Sequence, residues 1–242
     1  MIDRSLNWGR KQMAQLLRQV APFSSVLDIG AGMGADLDLA HSASPSAALF
    51  AVESYAPAIE VLRGKGVEVF PLNVERGELP FSDEGLDVIM ANQVMEHMKE
   101  IFWIMHEVSR TLKMGGYLII GVPNLASLHN RLLLLAGRHP TSIRSRSAHV
   151  RGYTRADVVQ FLEVIFPGGY ELKQVLGSNF YPLPPFIAEP MAKTFGSLAV
   201  SMFFLFEKKK PYAREFLEYP VRQRLETNFF LGEQSGNRDH AV

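Results

Sequence analysis

The chain has 242 residues, of which 47% are hydrophobic, so it can bury the core of one domain of ordinary to large size. Its 25 Lys and Arg residues balance 25 Asp and Glu residues, which argues against a protein whose main task is to coat nucleic acid or acidic membranes. It has no cysteine, which excludes disulfides, zinc-thiolate sites and a thiol nucleophile. Residues 1–20 lack the continuous apolar run of a signal peptide, and we expect a cytoplasmic protein.

The first half of the chain alternates between strand-like and helix-like patterns. Helices are predicted over 7–20, 35–43, 57–64 and 99–112, and strands over 25–29, 48–53, 67–71, 86–91 and 117–122. Gly115-Gly116 is expected to end the last of these helices. Such alternation predicts an α/β protein with helices layered on a mostly parallel sheet.

The second half is less regular. We predict a helix over 126–136, a polar, Arg-rich connection over 137–153, and a helix that Thr154 caps with Asp157 in a variant of the capping box. Two final strands are predicted over 170–176 and 198–206, with a Pro-rich loop over 178–196 between them.

These elements together predict a Rossmann-like, doubly wound α/β fold with a mostly parallel seven-stranded sheet and helices on both faces. We expect one domain over 1–231. Within it, 125–153 forms an insertion and 178–196 the Pro-rich loop, and the tail 232–242 is expected to be disordered.

The most informative motif runs from Val26 to Gly34, where a short apolar strand leads into Asp28 and then into Gly30, Gly32 and Gly34. Glycine lets the backbone turn sharply and approach a ligand closely. The helix that follows directs unpaired N–H groups toward the same place. The motif therefore predicts a site for a nucleotide-type cofactor.

Two kinds of cofactor fit this loop. Gly30-x-Gly32-x-x-Ala35 matches the relaxed dinucleotide fingerprint, with Glu53 at the distance expected for an acid on a ribose hydroxyl. Asp28, however, would repel a pyrophosphate, whereas S-adenosylmethionine carries an amino group and a sulfonium but no phosphate. The charges favour S-adenosylmethionine, while the loop by itself leaves both open.

The chain resembles the class I S-adenosylmethionine-dependent methyltransferases. The resemblance covers 24–125 and extends through 149–166 to the last strands. It rests on motifs that occur in the family's order: the run 26–34, Glu53, Leu79-Pro80-Phe81, 86–89, Glu96-His97 and 112–116. S-adenosylmethionine is the cofactor that this resemblance implies.

The resemblance also implies roles for individual residues on the cofactor side. Gly30, Gly32 and Gly34 would give the methionine part close access to the backbone, and Asp28 would orient its amino group. Glu53 would accept hydrogen bonds from both ribose hydroxyls, because a carboxylate has paired oxygens.

Further along the chain, Asn73 with Val74 stands where the family often has an Asp that contacts the adenine amino group. An amide oxygen can accept the same hydrogen bond. Asn92 and Gln93 are implied to lie beneath the methionine part. Asp87 is expected to be structural, with its carboxylate fixing neighbouring backbone N–H groups.

The histidines are the candidates for a catalytic base. A sulfonium donor is already activated, so only a hydroxyl acceptor benefits from a base. His97 and His149 are the candidate bases, because imidazole titrates near neutral pH and the resemblance places each beside the acceptor pocket. The alternative is a structural role for either. His106, His129 and His139 lack metal-ligand spacing, and no required metal is predicted.

The insertion is basic, with five arginines and no acidic residue between 138 and 155. Guanidinium groups hold phosphate or carboxylate bidentately, which makes Arg144, Arg146 and Arg151 the candidate substrate-binding residues. A solvated loop is the alternative. The segments between 123 and 154 are similar to small bacterial methyltransferases, of a type 11/12-like group, associated with cell-surface polysaccharide and natural-product sugar pathways.

The sequence thus predicts a methyltransferase that acts on an O or N atom of a small molecule or glycan, with the arginines favouring an anionic acceptor. The alternatives are an NAD(P)-dependent oxidoreductase, although the chain has no Tyr-x-x-x-Lys pair, and a catalytically idle module that binds the cofactor. No nucleic-acid partner and at most peripheral membrane contact are expected. The oligomeric state is left open.

Overall fold

A computed structural model describes residues 5–225 and 228–232. Within these residues the strands are β1 (Ser25–Ile29), β2 (Ala48–Val52), β3 (Glu68–Phe70), β4 (Leu86–Asn92), β5 (Leu112–Pro123), β6 (Tyr170–Ser178) and β7 (Ser201–Lys208). They form one seven-stranded sheet in the order β3-β2-β1-β4-β5-β7-β6. Strand β7 runs antiparallel to β5 and β6, and the pairs among β1 to β5 are parallel. The predicted fold class is confirmed.

The described helices are α1 (Arg10–Val20), α2 (Ala35–Ala43), α3 (Ala56–Gly64), α4 (Ile101–Thr111), α5 (Leu128–Leu135), α6 (Arg155–Ile165), α7 (Pro185–Thr194) and α8 (Glu215–Arg222). Short 3-10 turns occur as well, and the one over Met95–His97 directly follows β4. None of the described helices is both long and apolar enough to cross a membrane.

Both faces of the sheet are buried, because successive side chains of a strand point to opposite faces. In β4, Val88 and Met90 belong to the apolar cluster that includes α1, α2 and α3. Ile89 and Ala91 belong to the opposite cluster, which includes α4, α6 and α8. The central strands are therefore apolar throughout, as parallel strands covered on both faces usually are.

Several predicted boundaries are wrong. The Pro-rich segment 178–196 is a loop only in part, because Pro185–Thr194 is the helix α7. Proline is tolerated in the first turn of a helix, where its missing N–H has no partner to lose. Pro190 lies inside α7, and burial of Ala188 and Ala192 against Phe180 stabilises the helix despite it.

Other differences are smaller. The long helix predicted over 99–112 ends at Thr111, and Gly115-Gly116 lies inside β5. Helix α8 was not predicted, and it buries Phe216 and Leu217. The predicted disordered tail, apart from Gly232, lies outside the described residues. The single domain over 1–231 stays a prediction.

Two local predictions are confirmed. The Asp87 carboxylate accepts hydrogen bonds from the backbone N–H groups of Ser24 and Ser25, at 2.8 and 2.9 Å, so it ties β4 to the start of β1. Thr154 caps α6 through a capping box with Asp157, in which each side chain accepts the other residue's backbone N–H.

Candidate active site

The glycine turn leaves β1 at the carboxyl end of the sheet, where ligands of open α/β sheets usually bind. Gly30 has a φ of +71°, and its N–H donates to the Val52 carbonyl of β2 at 2.8 Å. A Cβ on Gly30 would lie 2.6 Å from Cγ2 of Val94, so only glycine fits here. Gly34 also has a positive φ and is the N-cap residue before α2, whereas a Cβ on Gly32 would meet no atom within 4 Å.

Glu53 follows β2 and borders a cavity of 360 Å³ together with Gly30 and Val94. Its carboxylate accepts three backbone hydrogen bonds, from Gly32 at 2.8 Å, Ser54 at 2.8 Å and Tyr55 at 2.9 Å. These bonds fix the carboxylate against the glycine turn. The cavity volume lies within the range of about 300–1,000 Å³ that is typical of small-molecule sites.

Asn73 and Val74 line the same cavity, after β3. The side-chain oxygen of Asn73 accepts the N–H of Glu75 at 3.0 Å, and the backbone oxygen of Asn73 accepts the N–H groups of Arg76 and Gly77. Asn73 is therefore held in a tight turn, with its side chain exposed at the cavity's edge.

Asp28 is buried at the end of β1, and burial together with the neighbouring Asp36 raises the pKa of its carboxyl group well above its usual value. Asp36, in the first turn of α2, forms an ion pair with Arg10 of α1. The amide of Asn92 donates to Asp36 at 2.8 Å and to the Trp8 carbonyl at 3.1 Å. A network of two acids, one cation and one amide thus lies behind the glycine turn.

Gln93 follows Asn92 with a φ of +58°, and its N–H donates to the Gly121 carbonyl at 2.7 Å. Among the described residues, the side-chain nitrogen of Gln93 and the side-chain oxygen of Asn92 are buried without a hydrogen-bond partner. Buried polar atoms without partners destabilise a fold. The end of β4 is therefore suited to a polar ligand that would pair with them.

The two candidate bases lie together. The rings of His97 and His149 meet edge to face, with centroids 4.7 Å apart. Nδ1 of His97 lies 3.3 Å from the Ala148 carbonyl, and Nδ1 of His149 lies 2.6 Å from the Ser142 carbonyl. Burial and the neighbouring His149 lower the pKa of His97. Glu96 is buried beside them, and burial raises the pKa of its carboxyl group to about 7.

The three candidate arginines do not share one environment. The side chains of Arg144 and Arg146 are exposed on the insertion. Arg151 instead donates to the backbone carbonyls of Met98 at 3.1 Å and Lys99 at 2.8 Å. Its guanidinium therefore attaches the insertion to the segment after β4 and also lines a second cavity of 540 Å³.

Three residues at the site were not among the predicted site residues. Arg10 and Asp36 pair across the glycine turn, and Glu96 lies beside both histidines. Asp36 could have been found as an acid in the first turn after the glycine loop, and Glu96 from the Glu96-His97 pair among the motifs. Arg10 carried no such signal.

The fold and the site define a Rossmann-like methyltransferase architecture. The chain superposes on a SAM-dependent methyltransferase of Thermotoga maritima, described as a possible histamine N-methyltransferase, with a TM-score of 0.59, 21% identity and coverage of 84% of this chain and 90% of that one. A plantazolicin methyltransferase solved with S-adenosylhomocysteine gives a TM-score of 0.58 at 16% identity, covering 86% of each chain. At these identities the likeness shows the fold.

Sequence matches to known proteins cover part of the chain. A model of the methyltransferase domain matches residues 27–120. A probable S-adenosylmethionine-dependent methyltransferase of Mycobacterium tuberculosis is 28% identical over 128 residues, which cover 51% of this chain and 45% of that protein. Over this region the chain is similar to class I S-adenosylmethionine-dependent methyltransferases, so the predicted resemblance is confirmed there. The matches support the methyltransferase class and S-adenosylmethionine as the cofactor of this region.

The curated relatives are longer than the matched region. A 37.1 kDa protein encoded in a transposon of Streptomyces fradiae is 32% identical over 111 residues, which are 44% of this chain and 32% of that protein. The chain therefore spans less than half the length of this relative and of the mycobacterial one. The similarity is confined to the matched region, and the activity and acceptor of the whole protein are matters for proposal.

Proposed function

We propose that the chain binds S-adenosylmethionine at the carboxyl ends of β1, β2 and β4 and transfers its methyl group to an O or N atom of a small molecule or glycan. One observation carries the proposal. Glu53 and Gly30 of the glycine turn border the same 360 Å³ cavity as Asn73 and Val74.

In this proposal, Glu53 accepts the ribose hydroxyls. A carboxylate offers about four acceptor positions, and backbone N–H groups already use three of them on Glu53. One hydroxyl can therefore bind directly, and a second would displace a backbone bond. Asn73 and Val74 would border the adenine.

The methionine end would lie against the network behind the glycine turn. Asp28 offers a carboxyl group that the cationic amino group would favour in its ionised form, and Arg10 offers positive charge for the carboxylate. Asn92 and Gln93 would supply their unpaired side-chain oxygen and nitrogen. Charges of both signs suit a zwitterionic amino acid better than they suit a pyrophosphate.

When bound, S-adenosylmethionine supplies a methyl group activated by its sulfonium. The protein's own part is to align the acceptor, exclude water and take a proton where the acceptor is a hydroxyl. A carbonyl oxygen only accepts hydrogen bonds, so Nδ1 of His97 and of His149 must donate. In the neutral imidazoles the lone pair then lies on Nε2, where it can accept a proton from a hydroxyl.

The acceptor is proposed from chemistry and analogy. The plantazolicin methyltransferase was also solved with a monoazolic desmethylPZN analog and S-adenosylhomocysteine. For this chain we propose a small-molecule or glycan acceptor, and the exposed Arg144 and Arg146 favour an anionic one. A cytoplasmic location, no nucleic-acid partner and at most peripheral membrane contact complete the proposal.

Calorimetric titration of the full chain with S-adenosylmethionine, S-adenosylhomocysteine and NAD⁺ tests the cofactor assignment. We expect both adenosyl compounds to bind at one site and NAD⁺ not to bind. Tight NAD⁺ binding, or no binding of either adenosyl compound to the folded chain, would overturn the assignment. Transfer of labelled methyl from the cofactor to a panel of hydroxyl and amine acceptors, with and without phosphate or carboxylate groups, then tests the acceptor class.

A further inference from the structure

Three potential metal ligands meet beside the proposed cofactor cavity. One ligand atom each from Glu96, His97 and His149 lies within 4.8 Å of the other two. Glu96 and His97 belong to the 3-10 turn after β4, and His149 comes from the insertion. Val94 and Met98, on either side of the turn, line the cofactor cavity. The cluster therefore adjoins that cavity through its own turn.

Both imidazoles are oriented as metal ligands usually are. In each, Nδ1 donates to a backbone carbonyl, of Ala148 for His97 and of Ser142 for His149. Such a bond fixes the ring and the tautomer and leaves the lone pair on Nε2. The two nitrogens with lone pairs belong to rings whose centroids are 4.7 Å apart.

Glu96 contributes a buried carboxylate that the fold itself does not satisfy. Its residue exposure is 2%, and Oε2 is buried without a hydrogen-bond partner among the described residues. A buried carboxylate normally has a cation or several donors beside it. A divalent cation between the carboxylate and the two imidazoles would provide that partner.

Backbone hydrogen bonds hold the segment that carries His149 in place. The backbone oxygen of Glu96 accepts the N–H groups of Val150 at 2.8 Å and Arg151 at 3.1 Å. These are the two residues after His149, so the insertion is attached to the very turn that carries the other ligands. The arrangement does not depend on the ion for its position.

We propose that Glu96, His97 and His149 bind one divalent transition-metal ion. Two imidazoles and one carboxylate form a ligand set that suits Zn²⁺, Co²⁺ or Fe²⁺, whereas Mg²⁺ prefers oxygen ligands alone. Three protein ligands leave at least one position open. Sequence spacing predicted no metal, because His149 is far from His97 along the chain and only the fold brings the two rings together.

The open position would bind the hydroxyl of the acceptor and lower its pKa. The hydroxyl proton then leaves to solvent, the oxygen forms a bond to the methyl carbon, and the carbon–sulfur bond breaks with its electron pair staying on sulfur. The imidazoles would thus hold the ion instead of taking the proton. This role, unlike metal binding itself, rests on the proposed function.

Metal binding by the full chain, freed of metal with a chelator and without cofactor, tests the proposal. Equilibrium dialysis with Zn²⁺ is expected to show one ion per chain, and Co²⁺ is expected to give visible absorption from nitrogen and oxygen ligands. H97A, H149A and E96Q should each weaken Zn²⁺ binding by more than the roughly 10–100-fold that loss of a residue supporting a ligand costs. His139 lies in the same insertion and is exposed, so H139A is the matched control and should bind like wild type.

The outcomes separate the two proposals. If the wild-type chain binds Zn²⁺ no more tightly than the H97A and H149A variants do, the metal site is overturned. This holds even if the wild-type chain binds S-adenosylmethionine. Chain that binds Zn²⁺ through these residues but does not bind S-adenosylmethionine supports the metal site and overturns the proposed function. His97 is exposed, so H97A keeps the test valid if the buried Glu96 variant fails to fold.

Discussion

The proposed cofactor side and the proposed acceptor side of the site are built in different ways. On the cofactor side, Gly30, Glu53 and Asn73 each follow one of three neighbouring strands, β1, β2 and β3. On the acceptor side, Glu96 meets Val150 and Arg151 through backbone bonds to an insertion that contributes no strand to the sheet. One half is positioned by the sheet, and the other by a few contacts between distant segments.

This difference explains how one fold can serve many acceptors. A change in the insertion can alter the surroundings of His149 without moving the strand ends at which we propose the cofactor binds. We therefore expect variants on the cofactor side to affect cofactor binding whatever the acceptor is. Variants on the acceptor side should leave cofactor affinity nearly unchanged.

The largest expected effect is at Glu53. E53A removes charge-assisted hydrogen bonds to the ribose, each worth about 1.5–3 kcal/mol, so S-adenosylmethionine affinity should fall by roughly 100-fold or more. Calorimetric titration measures it. E60A, at an exposed position of α3, is the matched control and should bind like wild type. If folded E53A binds S-adenosylmethionine within threefold of the wild-type affinity, a loss of roughly 0.6 kcal/mol of binding free energy or less, Glu53 does not bind the ribose.

The next largest effect is a difference in stability between alanine variants of two glycines in the turn, Gly30 and Gly32. An alanine at Gly30 meets Val94 at 2.6 Å and also keeps a positive φ, so G30A should lower the free energy of unfolding by roughly 2–5 kcal/mol. Gly32 has a φ of +52° but no atom within 4 Å of an added Cβ, so G32A should cost only about 1–2 kcal/mol. Urea unfolding of both variants checks the difference, and equal losses would contradict it.

The same contrast between the two sides explains which features could be predicted from the sequence. Strand ends follow from apolar runs and glycine turns, so the structure has Glu53 directly after β2, Asn92 at the end of β4 and Asn73 in the turn that follows β3. Helix α7 could not be predicted, because local proline signals pointed to a loop and tertiary packing of Ala188 and Ala192 outweighed them.

Contacts between segments that are distant along the chain could not be predicted from the sequence either. Arg151 was predicted to bind an anion because of its basic neighbours, yet its guanidinium donates to carbonyls about 50 residues earlier in the chain. The ion pair of Arg10 with Asp36 likewise joins two helices that no local pattern relates. Residue type and spacing indicate what a side chain can bind, while the fold decides which partner reaches it.

A smaller effect distinguishes the arginines of the insertion. R151Q removes hydrogen bonds to the Met98 and Lys99 carbonyls, and we expect it to lower stability by about 1–2 kcal/mol. The double variant R144Q/R146Q changes only exposed side chains and should stay within about 0.5 kcal/mol. Thermal unfolding compares the two, and KM values for phosphorylated and neutral acceptors show whether Arg144 and Arg146 select anions. A larger stability loss in the double variant would contradict the assignment.

The smallest change in stability is expected for a substitution of Asp28, and it is seen in how stability depends on pH. Burial raises the pKa of Asp28 in the folded chain, beside Asp36 and Glu53 and opposite the cation of Arg10. The folded state then holds a proton that the unfolded state has released, so stability falls as pH rises from the unfolded pKa, about 3.8, through the folded one. D28N has no such proton and should lose this part of the pH dependence.

Cofactor binding should show the opposite trend at the same residue. A cationic ligand favours the ionised carboxylate, so the affinity of wild-type chain for S-adenosylmethionine should rise with pH, by at most about tenfold per pH unit for one linked proton. D28N should bind more weakly at high pH and show a flatter profile. Calorimetric titrations at several pH values, with E60A as the control, measure both slopes. Parallel slopes in wild type and D28N would mean that Asp28 ionises independently of the cofactor, and the cofactor's amino group would then need another partner.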